Sequence, residues 1–157
     1  MVRKALGFMV IACLAMIFSA GTAGATDTSR PAQADEEVLA SSKCSGTAGY
    51  GVIRYQVCVR YTCNASACAH QGYLGVINTA SSARTVRWNL DWSRIGAPWR
   101  DDDSGSVALA AGQQQTIDSD TIVRTEPCGF TGQRLLTVGY GSGTSAPIQV
   151  EQFMACA

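Results

Sequence analysis

Six cysteines beyond residue 43 constrain the fold of this 157-residue chain more than any other feature. They are Cys44, Cys58, Cys63, Cys68, Cys128 and Cys156. An even number of cysteines in an exported chain indicates disulfides, because extracytoplasmic compartments are oxidising. Cys63 and Cys68 bracket a short loop, and Cys128 and Cys156 can join the last strand to an earlier turn, which leaves Cys44 with Cys58. We favour these three pairs among the many that six cysteines allow.

The first 25 residues have the pattern of a secretory signal peptide. Arg3 and Lys4 precede an apolar run from Leu6 to Phe18, and Ala23-Gly24-Ala25 matches a cleavage site of the A-x-A type. The apolar run is too short for a stable membrane span. We therefore predict a signal peptide over residues 1–25, a secreted mature chain, and no membrane association after cleavage.

A lipoprotein signal is the competing interpretation of the same segment. Val10-Ile11-Ala12-Cys13 loosely fits a lipoprotein box, but the apolar run continues past Cys13. After cleavage at residue 25, ten basic residues face twelve acidic ones, a net charge of −2. That balance gives no support for binding to nucleic acid or to an anionic membrane.

Residues 26–43 differ in composition from the remainder of the mature chain. They contain no aromatic residue and carry Arg30-Pro31 and Asp35-Glu36-Glu37. Such a segment buries too little apolar surface to order itself alone. We predict a flexible N-terminal arm over 26–43 and a folded domain over 44–157. The arm is either a spacer or a docking segment that orders on a partner.

Period-two alternation of apolar and polar residues dominates the predicted domain. Between Ile53 and Cys63 the odd positions are apolar, and Val86, Trp88, Leu90 and Trp92 alternate with polar residues. This pattern predicts strands with one buried face. Further strands are expected at 73–79, 107–109, 115–117, 121–125, 134–140 and 148–153, with a turn at Asp103-Ser104-Gly105. Seven to eight short strands predict an all-β fold, a disulfide-stapled antiparallel β-sandwich.

One stretch resembles bacterial immunoglobulin-like domains. It comprises Val76-Ile77-Asn78, then Val86-Arg87-Trp88-Asn89-Leu90, then Val107-Ala108-Leu109-Ala110-Ala111-Gly112-Gln113. In those domains a strand ends in Asn, a turn leads to a second strand, and a Gly-Gln or Gly-Glu turn opens the next. The resemblance implies an immunoglobulin-like sandwich and says nothing of function.

Metal and calcium sites find little support in the sequence. The cysteine spacing is not that of a zinc knuckle, and His70 is the only histidine, which we interpret as a loop residue. Asp101-Asp102-Asp103 fails the EF-hand spacing and is interpreted as a solvated acidic turn. We expect no metal and no cofactor.

Catalytic residues are equally hard to find. Asp118 and Asp120 could act as paired carboxylates for sugar hydrolysis, but they flank one serine in a predicted turn. A serine hydrolase needs an oriented base, and one histidine without a G-x-S-x-G elbow gives thin support for one. A small secreted hydrolase is therefore the third functional hypothesis, and we predict a non-enzymatic protein.

The tryptophans divide into two groups. Trp88 and Trp92 share the apolar face of one strand and are expected in the core. Trp99 lies between Arg94 and Arg100 in a predicted loop. An aromatic residue flanked by arginines suits a protein contact or a stacked sugar ring. A side chain that folds back onto the core is the alternative.

The predicted function is a secreted protein–protein interaction module. Its size, export signal, N-terminal arm and disulfide-rich sandwich resemble the small adaptor subunit of bacterial umbrella toxin particles. That resemblance implies docking through the arm, with Val38 and Leu39 as contact residues, on another secreted protein. A carbohydrate- or cell-wall-binding module that uses Trp99 is the alternative hypothesis.

Overall fold

A computed structural model describes residues 39–119 and 124–157, apart from the side chains of Leu39 and Arg124. These residues form strands and connecting turns without any helix. The strands are β1 (Leu39–Cys44), β2 (Ala48–Tyr50), β3 (Ile53–Cys63), β4 (Ala67–Asn78), β5 (Arg84–Arg94), β6 (Arg100–Leu109), β7 (Gln114–Asp118), β8 (Arg124–Pro127), β9 (Phe130–Tyr140), β10 (Gly143–Thr144) and β11 (Ile148–Met154).

The strands form two antiparallel sheets. The first has the order β1-β3-β4-β7, with β2 also paired to β3 and β8 also paired to β4. The second has the order β10-β9-β5-β6, with β11 also paired to β9. The prediction of an all-β, antiparallel fold is therefore confirmed.

Both sheets contribute their inward faces to one hydrophobic core. Burial alternates along all twelve residues of β4, as the period of two requires. Val57 and Leu74 of the first sheet belong to the same buried cluster as Leu90 and Leu136 of the second. Each of these four side chains is fully buried, and Val57 and Leu90 confirm the inward faces predicted for β3 and β5.

The described residues form eleven strands, more than the seven to eight expected. Two of the additional ones, β2 and β10, have only three and two residues. The predicted turn at Asp103-Ser104-Gly105 is wrong, because these residues lie within β6 and pair with β5. Gly105 lies opposite Trp88, and a Cβ atom there would come within 2.9 Å of the Trp88 ring. The glycine therefore serves close packing rather than a turn.

Strand β1 begins inside the segment predicted as an arm. Residues 39–43 pair with β3 in a continuous antiparallel register that ends at Cys44 opposite Cys58. The rest of that segment, residues 26–38 with Val38, lies outside the described residues, as does the predicted signal peptide.

The cysteines form the three pairs favoured from the sequence: Cys44 with Cys58, Cys63 with Cys68, and Cys128 with Cys156. The first two bridges join residues that lie directly opposite each other, in β1–β3 and in β3–β4. The third joins the turn before β9 to the segment after β11. The predicted disulfide framework is confirmed.

Candidate functional site

The loop over residues 95–99 connects β5 to β6, and hydrogen bonds to β5 and β9 hold its backbone in place. The Ala97 amide donates to the Arg94 carbonyl oxygen (2.9 Å), and the Ile95 amide donates to the Thr131 carbonyl oxygen of β9 (3.1 Å). The buried Ser93 hydroxyl donates to the Ala97 carbonyl oxygen (2.8 Å). The loop therefore presents its side chains from a defined backbone.

Three large apolar side chains are exposed in the described parts of the chain. They are Ile95, Trp99 and Phe153, exposed by 57%, 41% and 54%. Trp99 is thus exposed and does not fold back into the core. Ile95 bonds to Thr131, and Thr131 lies opposite Phe153 in the β9–β11 register. The three residues lie at the same end of the second sheet, and we call them the apolar end patch.

The beginning of β1 lies at this end of the molecule as well. Leu39 lies opposite Cys63, the last residue of β3. Backbone hydrogen bonds link the turn after β3, the turn before β9 and the end of the chain: Ala157 N to Asn64 O (3.1 Å), Cys128 N to Ser66 O (3.1 Å) and Gly129 N to Met154 O (2.7 Å). These contacts connect the start of β1 to the region of Phe153.

The two arginines that flank Trp99 differ in their surroundings. Arg94 forms an ion pair with Glu126, and its guanidinium lies 4.7 Å from the centroid of the Phe130 ring. Arg100 is exposed, with its guanidinium 5.9 Å from the centroid of Trp92. Both arginines line a cleft of about 360 Å³ next to the loop. Aromatic and arginine side chains in this combination are enriched at the energetic centres of protein interfaces.

A cluster of buried polar side chains packs against the Trp92 ring, between the two sheets. Arg134 Nη2 lies 2.9 Å from His70 Nδ1, and Arg134 Nε lies 3.0 Å from Asp102 Oδ2. The guanidinium can only donate, so His70 Nδ1 accepts. The His70 ring stacks on Trp92 with 5.4 Å between centroids. We call His70, Asp102 and Arg134 the buried polar cluster.

The interpretation of His70 as a loop residue is wrong. Strand β4 begins at Ala67, and His70 takes an inward position on it with 1% exposure. The sequence alone placed the strand start at Tyr73, because Ala67–Gly72 lacks an apolar alternation. Pairing with β3 on one side and β8 on the other extends the strand.

The interpretation of Asp101-Asp102-Asp103 as a solvated turn is also wrong. The β5–β6 register shifts between Leu90 and Asp91, which leaves Asp102 as the additional residue of a β-bulge. A bulge re-aims a side chain, and here Asp102 is buried (5% exposed) beside Arg134. The residue therefore belongs to the core.

The buried polar cluster contains residue types that can take part in acid–base chemistry, but its side chains are not accessible from the surface. None of its three side chains is more than 5% exposed. General acid–base catalysis requires hydrogen-bonding reach to a bound substrate. The cluster therefore joins β4 of the first sheet to β6 and β9 of the second.

The carboxylate of Asp91 has a shifted pKa. Burial raises the pKa of Asp91, the neighbouring Asp101 and Asp102 carboxylates add to this, and a hydrogen bond from Asn89 acts in the opposite direction. Asp91 and Asp101 lie directly opposite each other in β5 and β6. Like charges in that position destabilise a sheet.

The remaining sequence candidates lie apart from one another. Asp118 ends β7, is largely exposed and forms an ion pair with Arg60. Asp120 lies outside the described residues, as does Val38. Ile95 and Phe153 are not recognisable from the sequence as exposed residues, because a single apolar residue at a strand end does not reveal which face it takes.

In residues 39–119 and 124–157, no group of three or more potential ligands could hold a metal ion, and no helix is long and apolar enough to cross a membrane.

Comparisons with known proteins give little. No family profile and no curated protein matches the chain. A solved β-glucosidase from Streptomyces venezuelae, DesR in complex with D-glucose, is 16% identical with a TM-score of 0.31, over 71% of this chain and 15% of that one. A β-glucosidase from Listeria innocua in complex with gluconolactone is 13% identical with a TM-score of 0.30, over 78% and 17%. The chain thus spans less than a fifth of either enzyme, and likenesses this weak carry no functional argument.

Proposed function

We propose that this protein is a secreted, non-enzymatic protein–protein interaction module that binds another secreted protein through the apolar end patch. The observation that carries the proposal is the gathering of Ile95, Trp99 and Phe153 at one end of the second sheet. Exposed apolar side chains that gather in one region of a protein surface favour an interaction site there. Arg94 and Arg100 form its polar rim.

The segment before β1 belongs to the same proposed interface. It enters the fold at Leu39, at the end that carries the patch. An extended segment can add a strand to a partner or lie in its groove. Val38 and Leu39 are then the contact residues nearest to the domain.

The architecture and the biological setting are part of this proposal. The two sheets form an immunoglobulin-like β-sandwich that three disulfides stabilise outside the cell. The module acts as an adaptor in an extracellular assembly, as the resemblance to the umbrella toxin adaptor implies. The rigid domain then fixes the position of the patch relative to the preceding segment.

Co-purification from the culture medium of the native host tests the proposal. We expect a stoichiometric secreted partner with the wild-type protein, and a loss of about tenfold or more with Trp99→Ala plus Phe153→Ser. Deletion of residues 26–38 in the otherwise wild-type protein should also weaken the complex. Ser104→Ala plus Gln114→Ala is the matched control, since both side chains are exposed elsewhere.

Two outcomes would contradict the proposal. The first is a partner that is retained by both the patch variant and the deletion. The second is binding to insoluble polysaccharide that disappears in Trp99→Ala, which would favour the carbohydrate-binding alternative.

A further inference from the structure

The end of the molecule opposite the apolar end patch carries arginines without acidic partners. Arg54, Arg84 and Arg87 lie where β3 and β5 begin, and none of them forms an ion pair with a described acidic side chain. In β5 the first acidic residue after Arg84 is Asp91, and in β6 the last one before Leu109 is Asp103. Both acidic residues lie in the half of their strand that is farther from Arg84 and Leu109. This end is therefore positive although the mature chain carries a net negative charge.

Two adjoining clefts open at this positive end. Their volumes are about 560 and 500 Å³, and they share Arg84, Tyr140 and Gly141. The first is also lined by Tyr50, Gly51, Ser142 and Gly143, and the second by Ala83, Thr85, Arg87 and Ser106. Because they share residues, the two clefts form one shallow groove that can follow an extended chain.

Contacts within the protein orient the guanidinium groups of Arg84 and Arg87, but they do not use all of their N–H donors. The Arg84 guanidinium lies 5.7 Å from the centroid of Tyr140, and its Nη1 donates to the Ala83 carbonyl oxygen (3.0 Å). Its Nε is buried and has no acceptor among the described residues. Arg87 Nη2 donates to the Gly141 carbonyl oxygen (2.8 Å). A guanidinium has five N–H donors, so both side chains keep donors for a ligand.

The other lining groups point to the chemistry of that ligand. Tyrosine rings and hydroxyl groups suit a ligand that has both apolar C–H faces and hydroxyl groups, as sugars do. Arginine suits an oxyanion, which it binds through charge-assisted hydrogen bonds. We propose that this groove binds an anionic polysaccharide, with Arg84 and Arg87 on its carboxylate or sulfate groups and Tyr50 and Tyr140 beside its sugar rings. This site goes beyond the proposed function and does not depend on it.

Affinity electrophoresis and calorimetry of the full mature chain test the proposal. The probes are polygalacturonate, which carries carboxylates, dextran sulfate, and neutral dextran as a control. We expect binding to at least one anionic polymer, weaker at high salt, and none to dextran. Arg84→Gln plus Arg87→Gln should weaken binding about tenfold or more. Lys43→Gln plus Arg60→Gln removes the same charge at two exposed positions outside the groove and should leave binding within about twofold.

Any one of four other outcomes would overturn the proposal. Equal losses in the two double variants would show a response to net charge only. Binding to poly-glutamate as tight as to the anionic polysaccharides would exclude recognition of sugar. Absence of binding to both anionic polysaccharides would exclude the site itself. If both double variants bind as the wild type does, the groove is not the site.

Discussion

At the scale of single residues, the buried polar cluster is the most unusual part of the core. Arg134 is 1% exposed and contacts His70 and Asp102 from a position that an apolar residue would normally occupy. Gly72 makes room for it, because a Cβ there would come within 2.8 Å of Arg134 Nε. Buried charges are tolerated only when they are paired and hydrogen-bonded.

Arg134→Met should therefore lower the free energy of unfolding by about 3–5 kcal/mol, because it leaves the Asp102 carboxylate buried without its guanidinium. Arg134→Met plus Asp102→Leu should recover most of this loss, since it removes both charges. Urea denaturation of the two variants checks the prediction. A single variant within about 1 kcal/mol of the wild type would contradict it.

Asp91→Asn should stabilise the protein at neutral pH by up to about 1 kcal/mol, a value limited by solvent screening. Burial raises the pKa of Asp91 above its usual value of 3.8. A raised pKa in the folded state means that stability is lost as the pH rises through that pKa. The advantage of Asn should therefore be largest near pH 7 and vanish below about pH 4. Thermal melts across this range measure it, and an advantage independent of pH would count against the explanation.

At the scale of elements, the strands extend beyond their sequence patterns wherever a neighbour supplies pairing. Strand β6 includes Asp103-Ser104-Gly105 because β5 pairs with it along its length. Strand β4 reaches back to Ala67 because β8 pairs with its first residues. Local composition favoured a turn or a loop at both places, and hydrogen bonds between strands that are distant in sequence decided otherwise.

The Cys128–Cys156 bridge ties the last strand to the turn before β9 across 28 residues. Cys128→Ala plus Cys156→Ala should cost about 3.5 kcal/mol, because the cross-link restricts the unfolded chain. Guanidinium denaturation of the variant checks this. The wild-type protein with reductant serves as the control and should be destabilised further, since it also loses the other two bridges. An unchanged stability in both samples would refute a structural role for the disulfides.

At the scale of the whole molecule, the proposed functions occupy opposite ends. The apolar end patch and the start of β1 lie at one end, and the arginine groove lies at the other. Under the two proposals, the domain can hold a protein partner and an anionic polysaccharide at once. The two proposals are tested by different variants and can fail separately.

Deletion of residues 26–38 should leave the free energy of unfolding unchanged, because β1 and the Cys44–Cys58 bridge remain. Deletion of residues 26–44 should cost about 3 kcal/mol or more, because it removes the bridge together with an edge strand. Chemical denaturation of the two truncated proteins separates these cases. Equal stabilities would show that β1 contributes nothing to the fold.

The sequence by itself determined the all-β class and the inward faces of β3 and β5. These depend on period-two patterning, which is a local property of the chain. Six cysteines allow fifteen pairings, so the sequence favoured the three observed disulfides without deciding them. Only the tertiary structure decided that His70, Asp102 and Arg134 meet in the core, and that Ile95, Trp99 and Phe153 share one end. The reason is physical: the β-bulge at Asp102 and the pairing of strands that are distant in sequence fix which side chains face each other. No local pattern carries that information.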